Sequence, residues 1–500
     1  MDVYISGTGM TKFGKSKDSL EKMMANAAAL ALEEAQLERV DAIYIGVMNV
    51  EEFVGDSNFA TFLADTLGLS GIPSTRVETA SSTGAGAFQT AFYAVTSGHM
   101  KNVLVLAGEK MTHLPTAKTT RILSEVIDRS ERRYGTTMPA LAAMIAKKYA
   151  QEFNLSLTML ENILAQVAIK NHSNGSINPY AQFRKVITKG DYLKSQIVSF
   201  PLRRYDCAPI TDGAAAIVLT SEPTDVKVSG IGHATDTSAV RHRASLTSFN
   251  STKEAALKAY AMAQLNPSDI QFGEVHDAFT PFEIIGTEDL GFFPPGEGWK
   301  ALEEGATQLK GRLPINPSGG LKSRGHPIGA SGLAQLVEIV CQLKGEAGEE
   351  RQLERAEIGL AQSIGGLGNN NFVTILERSD RRRIMKEGWR LDYQPELKVS
   401  KKATNLPPPE SVGILETFTI LYATQEGFRS PLALGFVKTK TGDRVMACNP
   451  DYHSPKVLTM GKKVSLKMKE GLYVFEKLTL WNRLKRRFKS PQKSQPQSKP

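Results

Sequence analysis

Val3-Tyr4-Ile5-Ser6-Gly7-Thr8-Gly9 returns far along the chain as Val226-Lys227-Val228-Ser229-Gly230-Ile231-Gly232. Each copy leads through a turn into an Ala-rich helical stretch, Leu20 to Leu37 in the first and Thr252 to Leu265 in the second. Each helix feeds an apolar run of strand composition, Ala42 to Val47 and Phe272 to His276. Later in each copy a Gly/Ser-rich turn opens a helix: Ser81-Ser82-Thr83-Gly84-Ala85-Gly86-Ala87, then Gly325-His326-Pro327-Ile328-Gly329-Ala330-Ser331-Gly332. Short strands follow at Asn102 to Gly108 and Glu357 to Gln362, and each copy closes on a strand, Ala214 to Thr220 and Asn371 to Leu376. Chance can supply one such match; it does not readily supply four in the same order. The order predicts a duplicated α/β fold, two similar layers of parallel or mixed strands faced by helices about a pseudo-twofold axis.

The repeat sets the boundaries. A first half spans 1–222 and a second 223–377. Residues from about 112 to 200 interrupt the first half as an insertion, with helices predicted at Ala140 to Phe153 and Leu157 to His172. A loop with Asn174-Gly175 and Asn178-Pro179 is expected next, and an insertion here can cover a site. A charged linker, 378–410, ends in Pro407-Pro408-Pro409. Beyond it, period-2 patterning over Gly413 to Tyr422, Ala433 to Thr439, Arg444 to Cys448, Lys463 to Met468 and Leu472 to Phe475 predicts five short strands. Thr441-Gly442-Asp443 supplies a hairpin turn, so 411–480 reads as a small β-barrel. Residues 481–500 form a basic tail, expected to be disordered.

Composition narrows the classes. With 500 residues, 41% hydrophobic and 23% charged, the chain is of ordinary globular type with ample core. No uninterrupted apolar run approaches a membrane span, and the opening residues lack a signal-peptide pattern. Cys207, Cys341 and Cys448 are too few and too scattered for a disulfide framework, which points to the cytoplasm. The net charge of +9 suggests nucleic acid until it is mapped: Arg483, Lys485, Arg486, Arg487, Lys489, Lys493 and Lys499 crowd the tail. The near-neutral body gives no case for a nucleic-acid partner. Leu478, Leu480, Trp481, Leu484 and Phe488, interleaved with that charge, could lie on a membrane surface; a helix docked on the barrel is the stronger reading.

Three stretches carry a resemblance. Asn316 through Gly332, reading NPSGGLKSRGHPIGASG, resembles the late glycine-histidine motif of thiolases. His276-Asp277-Ala278-Phe279 resembles the H-D-x-F motif of the archaeal and sterol-carrier-protein-linked branch, and Asp206 to Ala216 is similar to the stretch closing the first half there. The resemblance covers residues 1 to about 377. The barrel resembles the OB-fold partner of acyl-CoA thiolase-like proteins, but no cysteine lies between Arg378 and Ser411, so the family's zinc ribbon is missing and no metal is expected. The resemblance implies a layered αβαβα thiolase fold that binds an acyl-CoA at the junction of the halves. Coenzyme A would be the substrate carrier, with no resident cofactor, and the assembly at least a homodimer. His326 is then expected to build an oxyanion hole and activate a nucleophile, His276 to complete the hole, and Gly365 and Gly366 to supply the closing loop. Donors aimed at developing enolate charge contribute roughly 3 to 4 kcal/mol each.

The departures are chemical. Aligning Val77 to Gly84 on the nucleophile motif places Ser81 where the family has cysteine, and Ala278 and Ser363 occupy the positions of its acid/base cysteine. A hydroxyl needs a strong base partner, and a serine ester lies below a thioester, so return of the acyl group to CoA is uphill. The leading expectation is an enzyme making or breaking the carbon–carbon bond beside a CoA thioester, by default an acyl-CoA C-acyltransferase. The alternatives are an aldol or retro-aldol lyase on a β-hydroxyacyl-CoA, needing no acyl-enzyme, and a non-catalytic acyl-CoA-binding subunit. For single residues the bland readings are a helix-start histidine at His326, a strand-end histidine at His276, an N-cap or cavity lining at Ser81 and turn geometry at Ser363.

Overall fold

The structure, a computed structural model, describes residues 1–381, 389–398, 400, 407–408 and 410–478. The basic tail of 481–500 and much of the proline-containing linker lie outside the described residues. Eleven strands precede the linker: β1 (Tyr4–Met10), β2 (Ala42–Gly46), β3 (Ser74–Val77), β4 (Asn102–Glu109), β5 (Ile197–Ser199), β6 (Leu202–Arg203), β7 (Gly213–Thr220), β8 (Val226–Thr235), β9 (Phe272–Glu274), β10 (Ile358–Gly365) and β11 (Asn370–Arg378). Six helices build the layers and the insertion: α1 (Leu20–Glu34), α2 (Thr83–Thr96), α3 (Met138–Glu152), α4 (Leu157–Ser176), α5 (Asn250–Ala263) and α6 (Ile328–Lys344).

Nine strands form one hydrogen-bonded order, β3-β2-β4-β7-β1-β8-β11-β10-β9. The halves meet where β1 pairs antiparallel with β8, Tyr4 opposite Lys227 and Ile5 opposite Val226. Reading outward from that seam gives the same sequence of equivalent strands on both sides. Where the first half has β3, the second has only a bridge between Gly273 and Ile315.

The glycines of the repeat have a steric reason. A Cβ on Gly7 would lie 2.1 Å from Ala31 O and one on Gly9 2.0 Å from Ala27 O, both in α1. The same clash recurs at Gly230 with Ala259 O (2.3 Å) and at Gly232 with Ala255 O (1.8 Å), both in α5. Each half thus presses an Ala-rich helix directly onto the backbone of its first strand. Strand alternation separates the layers: Leu104 and Leu106 of β4 face the α1 core, whereas Val103, Val105 and Ala107 face a central core shared with α2 and α6. Those two central helices touch at glycine: a Cβ on Gly84 would sit 2.7 Å from Gly329 O, and one on Gly332 2.8 Å from Ala85 N. Each of their N-terminal turns is therefore held close to the other half.

Beyond the linker, β12 (Val412–Leu421), β13 (Leu432–Lys438), β14 (Arg444–Asn449), β15 (Lys463–Lys469) and β16 (Leu472–Lys477) close into a barrel in the order β13-β14-β16-β15-β12, with β12 returning to pair with β13. The predicted strands are within a residue or two of these. The barrel is docked on the insertion: β5 and β6 extend its sheet from β12, and Lys147 of α3 donates to Phe418 O at 3.0 Å while lying over that residue's ring. One hydrophobic core runs continuously from α3 and α4 into the barrel.

One local expectation is corrected. Asn174-Gly175 is not a loop but the last turn of α4. Gly175 is needed for contact, since its Cβ would fall 2.2 Å from Ser323 Oγ, and Asn174 Nδ2 donates to Asn316 O at 2.9 Å. The insertion packs there on the glycine-histidine stretch.

Candidate active site

A cavity of about 1200 Å³ opens between the halves, lined by Ser81, His276, His326 and Gly366 among others. Two loops deliver the imidazoles. His326 precedes α6, and its backbone N–H donates to Thr211 Oγ1 at 3.0 Å. His276 follows β9 and donates its backbone N–H to Gln362 Oε1 at 3.2 Å. Their ring centroids lie 5.4 Å apart with planes at 90°.

The surroundings fix both rings. Ser331 Oγ lies 3.0 Å from Pro327 O, within reach of a hydrogen bond, and also meets His326. Its 2.6 Å contact with His326 Nδ1 engages that nitrogen and leaves Nε2 as the one without a protein partner among the described residues. Burial pushes the His326 pKa down to about 3, helped by the Arg324 guanidinium. Burial also holds His276 well below the usual imidazole range, with His326 and Arg324 adding to it, and its Nδ1 is buried without a hydrogen-bond partner. Both rings rest neutral. Behind them Asp277 accepts from Leu321 N (2.6 Å) and Asn171 Nδ2 (2.7 Å), and Asn316 accepts from Val275 N (2.8 Å) while donating to Glu283 (2.8 Å). That buried polar web ties the H-D-x-F turn to the glycine-histidine stretch.

Ser81 stands just before α2 in a turn held by its neighbours. Thr83 Oγ1 donates to Ala80 O (2.6 Å) and accepts from Thr79 N (2.9 Å), while Ser82 Oγ donates to Thr79 O (2.7 Å). Ala80 takes a left-handed conformation, φ 57°, which costs an alanine roughly 1 to 2 kcal/mol and turns the next side chain out of the strand line. No side-chain hydrogen bond joins Ser81 to His326.

The remaining expected residues divide. Gly366 lines the cavity with φ 58°. Gly365 lies behind it, its Cβ position 2.5 Å from Ser82 Oγ. Ser363 is not among the lining residues: its Oγ is buried, unpartnered, and 2.8 Å from where a Cβ on Gly332 would be. Strand alternation on β10 directs it beneath α6.

Sequence reasoning missed several members. Ser331 and Lys322 both lie inside the quoted glycine-histidine stretch; Lys322 lines the cavity and donates to Cys207 O at 2.6 Å. Cys207 also lines the cavity, but burial and the Asp206 carboxylate push its thiol up to about 12, so it is no ready thiolate. Ala423, from the barrel, lines it too, and no pattern in the sequence announces that.

The thiolase N-terminal domain family matches residues 3–223, and the thiolase C-terminal domain-like family matches 232–378. The chain is 41% identical over 389 residues to an acetyl-CoA acetyltransferase of Methanothermobacter thermautotrophicus, covering 75% of this chain and 100% of the relative. A monomeric SCP2-thiolase like protein type 1 from Mycobacterium smegmatis has a similar structure, TM-score 0.69 at 15% identity, over 95% of this chain and 99% of that one. An Ltp2-ChsH2(DUF35) aldolase structure gives TM-score 0.66 at 23% identity, over 76% of this chain and 99% of that one. The last two are likenesses of fold. The duplicated layers, the matched families and the acetyltransferase relative agree: this chain belongs to the thiolase superfamily.

Proposed function

We propose that the protein is a thiolase-like acyl-CoA enzyme that makes or breaks the carbon–carbon bond next to a CoA thioester. The convergence of two neutral imidazoles, 5.4 Å apart in one cavity at the seam of the halves, carries this reading. His326 Nε2 takes the proton the substrate gives up, from Cα when an enolate is formed for bond making or from a β-hydroxyl when the bond is cleaved, and the resulting N–H then faces the thioester oxygen on which negative charge develops. Burial makes a lone imidazolium costly there, so proton uptake is favoured when the substrate brings the opposite charge. His276 supplies the second polar group, and Gly366 the loop backbone. The barrel fits the OB-fold associated with such proteins.

Ser81 has no base bonded to it, and the cavity's thiol is held protonated. Those two observations favour, as a second reading, a lyase releasing an aldehyde or ketone from a β-hydroxyacyl-CoA, where the same groups stabilise the enolate without an acyl-enzyme. The test is direct. The protein is incubated with a β-ketoacyl-CoA plus CoA, and separately with a β-hydroxyacyl-CoA, and acyl-CoA and carbonyl products are measured. Thiolysis lost in Ser81→Ala supports a serine acyl-enzyme, and thiolysis retained excludes one as essential. Carbonyl release supports the lyase. Failure of both reactions in the parent, or survival of both in His326→Ala, would overturn the enzymatic reading.

A further inference from the structure

The barrel reaches the cavity at a defined place. As the chain leaves β12, the N–H groups of Tyr422 and Ala423 both donate to Val198 O, at 3.0 and 3.2 Å. On the other side Ser124 Oγ donates to Gln425 Oε1 at 2.7 Å, with both residues buried. The Phe428 ring packs over Gly135, coming within 2.4 Å of where a Cβ would stand. The segment from Ala423 to Phe428 is thus fixed at three points on the insertion. Ala423 and Val198 line the cavity, and so do Leu123, Val126 and Met138, apolar side chains remote in sequence from the histidines.

We infer that this barrel segment is a working wall of the acyl site, and that Ala423 sets how large an acyl group the enzyme takes. Resting on the acyl-CoA reading above, the inference names a substrate class: CoA thioesters whose acyl group is apolar and extended, running from the imidazole pair toward Ala423. A methyl side chain leaves room there, and each buried CH₂ of the ligand contributes about 0.8 kcal/mol, close to fourfold in affinity. The appended barrel is then a determinant of specificity as well as a fold stabiliser.

The experiment measures affinities of the full-length protein for acetyl-, hexanoyl- and decanoyl-CoA, in the parent and in Ala423→Val, Ala423→Leu and Ala423→Trp. The parent should prefer the longer esters, and the decanoyl-to-acetyl affinity ratio should fall stepwise with side-chain size, by tenfold or more in Ala423→Leu. Ala423→Val, the mildest change, gives the reading if the larger variants do not fold. An unchanged ratio across the series overturns the inference. So does a parent that binds acetyl-CoA but no longer ester, which leaves the acyl-CoA reading standing. A parent that binds no CoA ester at all removes both.

Discussion

Ser331 is a small residue with a directing role. Its hydroxyl bonds His326 Nδ1 at 2.6 Å and so holds the ring with Nε2 left unengaged by the described residues. Ser331→Ala is expected to lower kcat roughly tenfold with little change in KM, since general-base catalysis depends on how the imidazole is held. A change in KM alone would argue against this positioning role. Glu109 offers a pH test: its Oε2 accepts from Met48 N and Gly329 N at 3.1 Å each, and burial raises its pKa from 4.5 to about 8. Between those values the unfolded chain has given up the proton that the folded chain keeps, so stability should fall as pH rises, by up to about 1.4 kcal/mol per unit from this group. Glu109→Gln should flatten that slope in melting temperatures taken from pH 5 to 8. At this scale the histidines were legible in the sequence, because a long local stretch fixes the His326 turn. Ser363 was not, because one step of strand alternation decides whether a side chain meets the cavity or the underside of a helix.

Elements meet through glycine. Gly232→Ala would drive a Cβ to 1.8 Å from Ala255 O, and Gly84→Ala one to 2.7 Å from Gly329 O, both against helix backbone that has no rotamer to yield. Each is expected to lose about 1 to 3 kcal/mol in urea unfolding, the overpacking range. Gly84→Ala should also weaken acyl-CoA binding, since it would part the two helices whose N-terminal turns present Ser81 and His326. Gly190→Ala, whose Cβ would meet nothing nearer than 3.6 Å, serves as the control expected to stay within about 0.5 kcal/mol. The element order was readable because the repeat writes it twice. Element ends were not: α4 continues through Asn174-Gly175, a pair that reads as a turn by composition, because contact with Ser323 and Asn316 outweighs that preference.

For the whole molecule, the barrel and the insertion are one body. Residues of α3, α4, β12 and β13 share a single core, and Thr417 Oγ1 donates to Met144 O at 2.9 Å across the junction. A chain ending at residue 410 should therefore expose that core, binding a hydrophobic dye and aggregating on size-exclusion chromatography; a monodisperse, dye-silent truncation would show the barrel to be dispensable. What the sequence determined by itself was what short-range constraint can write: the duplication, whose glycines answer helices in the same half, the imidazole-bearing turns, and a serine at position 81. What only the tertiary structure decided was which distant surfaces enclose the cavity. Ala423 becomes part of it because β12 docks beside β5, and that pairing is set by burial of apolar faces and backbone hydrogen bonds, which any strand of suitable pattern can offer and no local residue signature records.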